Sequence, residues 1–381
     1  MSSDLTLQRT GVANLPLHYG RAPRYLVARM QAMAKEIVSI IVDDYGTDEF
    51  LTRISDPCWF QALGCVLGYD WHSSGVTTVL TGILKQAISP DELGVGVCGG
   101  KGKASRRTPE EICRIGEEFG FSSENIENLC RASKMSAKVD NTAVQAGYQL
   151  YHHTFFVTED QKWAVVQQGM CTEDRTARRY HWLSSNIESF VLEPHTAIVG
   201  DVKRQKVLDM TSRESEGCRK VSIDLAKEEP KRLIRLLQSL KPEFQKSLND
   251  WLPKSNQPQW RNHAEDYLSM PRNINWKTLK GIYDFQPSNY EELLGFKGVG
   301  PATVRGLALV SEIIYGEKPS WKDPVKYSFA YGGKDGVPYP VDRRAMDESI
   351  EFLKRAVEEA KIEDTERLRA LRSLTRFVVN Y

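Results

Sequence analysis

The chain has 381 residues, 41% of them hydrophobic and 27% charged, with 51 Lys plus Arg against 50 Asp plus Glu. That much apolar side chain can bury real cores, which excludes a disordered chain. The balanced charge excludes a uniformly basic coat, so contact with a polyanion has to come from a local patch.

No apolar run approaches the roughly 20 residues that span a bilayer, and Met1 to Arg9 carries no apolar signal core, so a cytoplasmic protein without a membrane partner is expected. The seven cysteines stand singly, at 58, 65, 98, 113, 130, 171 and 218. Without a CxxC pair a zinc ribbon is disfavoured, and the thiols read as small buried hydrophobes.

Apolar residues at Leu26, Met30, Met33, Ile37, Ile40 and Ile41 recur at helical spacing and predict a helix from Arg24 to Tyr45. Asp56-Pro57 starts a second helix that ends near Gly68, and Ser73-Ser74 a third. Residues 94–108, GVGVCGGKGKASRRT, read as a mobile, basic, glycine-rich loop. Thr108 to Glu111 then looks like a capping box. Lys101, Lys103, Arg106 and Arg107 make this loop a candidate phosphate contact. It is no P-loop, since Ser or Thr follows neither Gly-Lys pair, and no nucleotide cofactor is expected.

Near residue 145 the period changes. His152–Thr158, Trp163–Met170, Arg178–Leu183 and Ser189–Val199 are aromatic and β-branched runs with polar breaks, an antiparallel meander over about 145–200. Helical spacing returns at Pro230–Leu240, Phe244–Leu252 and Glu348–Val379, with Lys254 to Pro258 as a turn. The fold class is α+β: a helical N-terminal region and small β-meander, then an all-α C-terminal domain. The expected division is 1–222, mixed and catalytic, and 223–381, helical and DNA-binding.

The most specific motif is YEELLGFKGVGPATVRGLALVSEIIY at 290–315. A short helix, the turn core Gly298-Val299-Gly300 and Pro301 at the first position of a second helix resemble the helix-hairpin-helix motif. Glycines let backbone amides approach a phosphate, and Lys297, Thr303 and Arg305 are candidate side-chain contacts. Such contacts read no base sequence, so the expected ligand is DNA bound without sequence preference.

Five of the seven His lie between residues 72 and 195, in strands whose alternation places Arg179 and His181 on one face and Arg178, Tyr180 and Trp182 on the other. Asp140, Glu193 and His195 are expected to converge with His153 and His181 around a divalent Mg or Mn ion. Arg179 or Lys138 would neutralise a scissile phosphate. Neighbouring aromatics such as Tyr151 and Tyr180 are core by default, with one or two available to stack unpaired bases.

Two resemblances add to this. RTGVANLPLHYGRAP, SDPCWFQALGCVLGYDWHSSG, CGGKGKASRRTPEE, QLYHHTFF, VVQQGM, ARRYHWLS and FAYGGKDGVPYPVDR resemble, over essentially the whole chain, an uncharacterised prokaryotic family classed as a domain of unknown function. That likeness implies the three-block layout and the C-terminal hairpin but hands over no activity. The order hairpin, Gly332–Pro340 loop and Asp342 resembles the helix-hairpin-helix base-excision glycosylases, where the matching Asp stabilises an oxocarbenium-like transition state. Their lyase Lys is matched here by Ala302, and Asp342 also reads as a helix cap.

The leading expectation is a divalent-metal-dependent deoxyribonuclease of DNA repair acting on single-stranded or distorted DNA. A monofunctional glycosylase using Asp342 and a non-enzymatic DNA-binding protein are the alternatives. Homo-oligomerisation is compatible with the sequence.

Overall fold

A computed structural model describes residues 24–68, 74–200, 202–240, 270–271, 274–325, 343–360 and 364–379. The expected features at Ser73, Phe244 to Pro258, Gly332 to Pro340 and Asp342 lie outside the described residues.

Helices α1 (Arg24–Tyr45), α2 (Thr47–Ser55), α3 (Pro57–Val66), α4 (Ser74–Ala87) and the single turn α5 (Pro90–Leu93) come first. The stripe predicted for α1 is its buried face: Met30, Met33, Ala34, Ile37 and Ile41. Asp56 starts α3 by accepting the Trp59 amide at 2.8 Å, with Pro57 in the first turn where no N–H is needed.

Next come β1 (Val95–Lys101), α6 (Lys103–Arg106), α7 (Thr108–Glu118), α8 (Ser123–Lys138), β2 (Val144–Gln145), β3 (Gln149–Thr158), β4 (Trp163–Cys171), β5 (Thr176–Leu183), β6 (Ala197–Gly200) and β7 (Leu208–Asp209). A π-helical turn, Val139–Ala143, joins α8 to β2. Five strands form one antiparallel sheet in the order β1-β3-β4-β5-β6. The expected meander is its centre, while the strand expected over 189–199 is reduced to β6.

The glycine-rich stretch is not a loop: Val95 to Lys101 form edge strand β1, paired from Val95–Thr158 to Lys101–His152, and Lys103 to Arg106 form the short α6. Its glycines serve packing, for a Cβ at Gly99 (φ +90) would collide with the His153 carbonyl. The capping box is also absent. Thr108 Oγ1 donates to the Ser105 carbonyl at 2.8 Å, and Glu111 accepts instead from the Gly99 amide and Lys85, each at 2.6 Å.

The remaining helices are α9 (Glu216–Ala226), α10 (Pro230–Ser239), α11 (Trp276–Phe285), α12 (Tyr290–Gly295), α13 (Pro301–Tyr315), α14 (Arg343–Glu359) and α15 (Asp364–Val379). Both sheet faces are covered. On one, Cys98, Phe155, Val165, Trp182 and Ile198 share a core with α7 to α13. On the other, Val97, Phe156, Val166 and Leu183 share a core with α1 to α4, α14 and α15.

One apolar cluster includes Cys218 and Leu225, on either side of the expected boundary at 222/223. Arg178, fully buried, ties the later chain to β5 through two parallel bonds to Asp323, at 3.0 and 2.8 Å. Among the described residues no helix is long and apolar enough to cross a membrane.

Candidate nucleic-acid interface

Helices α12 and α13 are joined by Phe296 to Gly300. The Val299 amide donates to the Phe296 carbonyl at 3.1 Å, closing a turn whose third residue, Gly298, has φ +95. That geometry calls for glycine, and a Cβ there would stand 2.5 Å from Thr278 Oγ1 of α11. Val299 is 2% exposed and plugs the core between the helices, as expected.

Gly295, Lys297, Gly298 and Pro301 are exposed, so the turn is open to a large ligand. Gly300 differs from Gly298. Its φ of −134 is extended backbone open to any residue, and a Cβ on it would meet nothing within 4 Å. The fold therefore has no need of glycine at this position.

Two anchors orient the turn. Lys138 Nζ donates to the Val299 carbonyl, and Gln145 Nε2 donates to the Pro301 carbonyl at 2.9 Å. In a trans peptide the C=O and the following N–H point in opposite directions. The N–H groups of Gly300 and Ala302 are thereby turned away from Lys138 and Gln145. They lie in the first turn of α13, where no intrahelical acceptor exists and no side chain caps the helix.

Lys138 is thus an anchor and not the expected phosphate neutraliser; burial lowers its pKa. Thr303 is 3% exposed and cannot offer its side chain to a polymer. Arg305 is half-buried, its guanidinium 5.4 Å from the centre of the Trp321 ring. Of the side chains expected beside the turn, only Lys297 is fully available. Lys277 and Lys280 were missed. They are exposed on α11, which presents Thr278 and Gly281 to the hairpin. The signal was an amphipathic segment, WKTLKGIYDF, directly before the motif.

Lys101, Lys103, Arg106 and Arg107 are all exposed at the end of β1 and on α6. This corner lies at the same end of the sheet as the hairpin. The Gly102 amide donates to the Tyr151 carbonyl at 2.8 Å, and the neighbouring Leu150 amide to Asn141 Oδ1 at 3.3 Å. Asn141 is in the π-helical turn that directly follows Lys138.

The expected metal centre does not assemble. Alternation along β5 sends Arg179 and His181 to the face covered by α2 and α3. There Arg179 Nε donates to His181 Nε2 at 2.9 Å, and His181 Nδ1 donates to the Ile54 carbonyl at 3.3 Å. Burial holds His181 well below its ordinary pKa and pulls Arg179 down to about 9. Glu193 turns outward at φ +45, 3.4 Å from Arg213.

His153, Asp140 and His195 do meet, on the opposite face. Ser133 Oγ donates to His153 Nε2 at 2.9 Å, and His153 Nδ1 donates to Gln167 Oε1 at 2.7 Å. Gln167 Nε2 donates to the Ser136 carbonyl at 3.0 Å and to Asp140. Asp140 also accepts from Trp182 Nε1 at 3.0 Å and from His195 Nε2. These tautomers follow from the hydrogen-bond network.

Asp140 is fully buried and His195 only 5% exposed. Three of the four acceptor sites of the Asp140 carboxylate take N–H donors, which leaves a cation at most one, so this set does not fit a divalent metal. Among the described residues no group of three or more His, Cys, Asp or Glu is placed to hold one. The β-strand aromatics named for base stacking are buried, apart from half-buried Tyr151.

The chain belongs to the family described as protein of unknown function DUF763, whose pattern matches residues 11–341 and so takes in the sheet, the buried network and the hairpin. No curated protein and no solved structure matches the chain.

Proposed function

We propose that this protein binds the sugar–phosphate backbone of DNA without sequence preference through the α12–α13 hairpin, as part of a DNA-processing role. The observation that carries the reading is Gly300. It lacks a side chain where the fold has room for one, next to amides turned away from Lys138 and Gln145 and to the exposed Lys297. A missing Cβ there serves the close approach of a ligand, and a phosphate oxygen suits amides at a helix N-terminus. The basic corner at Lys101, Lys103, Arg106 and Arg107 extends the same end of the molecule with positive charge.

Strand cleavage enters as a question for the same assay, because the buried Asp140 network offers neither a metal nor a substrate an open position. The test uses labelled single-stranded, duplex and bubble DNA, with Mg²⁺, Mn²⁺ or chelator. Gly300→Val should keep the parent's melting temperature and lose about tenfold or more in affinity. Log affinity of the parent should fall linearly with log salt, by about 0.9 per phosphate contact on duplex. Unchanged binding by Gly300→Val would remove the hairpin from the interface. Metal-dependent cutting would require a centre outside the residues named above.

A further inference from the structure

Large apolar side chains exposed to solvent are few among the described residues, and one of them stands beside the hairpin. Phe285, at the C-terminal end of α11, is 49% exposed. Its ring centre lies 5.3 Å from that of Phe296, at 45°. Phe296 is the first residue of the hairpin turn, half-buried, and backed by Gly281, where a Cβ would approach its ring to 3.1 Å. The aromatic pair is thus fixed to the turn itself. A single exposed Phe is unremarkable on a protein surface. Its setting, two rings packed at the hairpin turn, one of them adjoining the exposed Lys297, on a helix that also carries the exposed Lys277 and Lys280, is not. Asp284, exposed one residue earlier, shares the face of α11 that carries Lys277 and Lys280, so the path for a backbone runs by Lys297 on the turn.

The geometry points to a specificity role for this pair: Phe285 stacks on an unpaired base of a DNA strand whose phosphate is held by the hairpin. The substrate class is DNA with unpaired nucleotides, either single-stranded or at a single-strand/duplex junction. This rests on the hairpin reading above and adds the feature that hairpin lacks. Backbone amides treat every phosphate alike, whereas an exposed aromatic face rewards only a base free of its partner.

The test compares the parent with Phe285→Ala and Phe285→Trp in anisotropy titrations of three labelled DNAs: a single strand, a blunt duplex and a duplex with a single-stranded tail. Phe285→Ala should weaken binding to the single strand and the tailed duplex about tenfold and leave the blunt duplex within twofold. Phe285→Trp should restore the loss. Quenching of 2-aminopurine in the single strand should disappear in Phe285→Ala. The ring is exposed, so the fold should be kept, which circular dichroism checks. If Phe285→Ala binds all three DNAs like the parent while Gly300→Val loses them, the stacking role is overturned and the hairpin stands. An equal loss on all three makes Phe285 a general support and also overturns it. A parent that binds no DNA removes both.

Discussion

Single residues carry the acid response of this protein. His152 Nε2 lies 2.9 Å from both Thr81 Oγ1 and Thr154 Oγ1 inside the α4 face of the sheet, and its other ring nitrogen has no hydrogen-bond partner. Burial pushes its pKa down to about 3 and lowers those of His153 and His181. A base whose folded pKa is depressed binds its proton first in the unfolded chain. The stability it contributes is full above the unfolded value near 6.5 and is lost as pH falls toward the folded value. Each buried His should therefore cost on the order of 1 kcal/mol per pH unit through this window. Asp209, whose buried carboxyl is pushed up, works the other way at its lower end. Urea midpoints at pH 7, 6 and 5 should fall steadily, and a flat series contradicts the burial of these rings. At the turn, Gly298→Ala should destabilise by more than about 1 kcal/mol, because both its φ of +95 and the nearness of Thr278 resist a Cβ. Gly300→Ala should be close to neutral for folding. Equal melting temperatures for the two variants would refute that distinction.

At the scale of elements, the hairpin works as a unit because other elements hold it. Lys138→Met removes the donor to the Val299 carbonyl. It should weaken DNA binding several-fold while leaving the salt slope unchanged, since this ammonium holds protein backbone and not phosphate. A slope lowered by about one would instead make it a phosphate contact. The Arg178–Asp323 pair holds the stretch after α13 to β5. Asp323→Ala leaves a fully buried guanidinium without its carboxylate and should cost about 3–5 kcal/mol in a denaturant titration. Helices α1, α3 and α4, the central strands and the hairpin were legible because spacing and caps are local properties. β1 was not, since glycines and basic residues resemble a loop until strand β3 is known to press against them. The separation of His181 from Asp140 and His195 was hidden for a related reason. Alternation correctly set Arg179 and His181 apart from Tyr180 and Trp182, but which of those faces Asp140 and His195 approach is decided by the path of the chain after α8 and β5. The α11 lysines and Phe285 gain meaning only from contact with the turn.

For the whole molecule, the sheet is the partition between two helical layers, and each layer draws on distant parts of the chain. The first layer joins α1 to α4 with α14 and α15, and the second joins α7 and α8 with α9 to α13. A fragment ending at residue 222 would expose apolar surface on both sides of the sheet. It should bind a hydrophobic dye and melt without a cooperative transition, whereas the full chain unfolds in one step. A sharp melt of the fragment would show that the first block is self-sufficient.

The return of α14 to the opening helices has a consequence for biogenesis. Phe352 sits 5.2 Å from the Tyr45 ring, with Arg53 stacked over it at 3.8 Å, and Leu353 and Val357 are buried beside it. During translation this seat stays bare until α14 has left the ribosome. Until then the opening helices lack the partner that covers them, and a chain cut short upstream of α14 should be prone to aggregation.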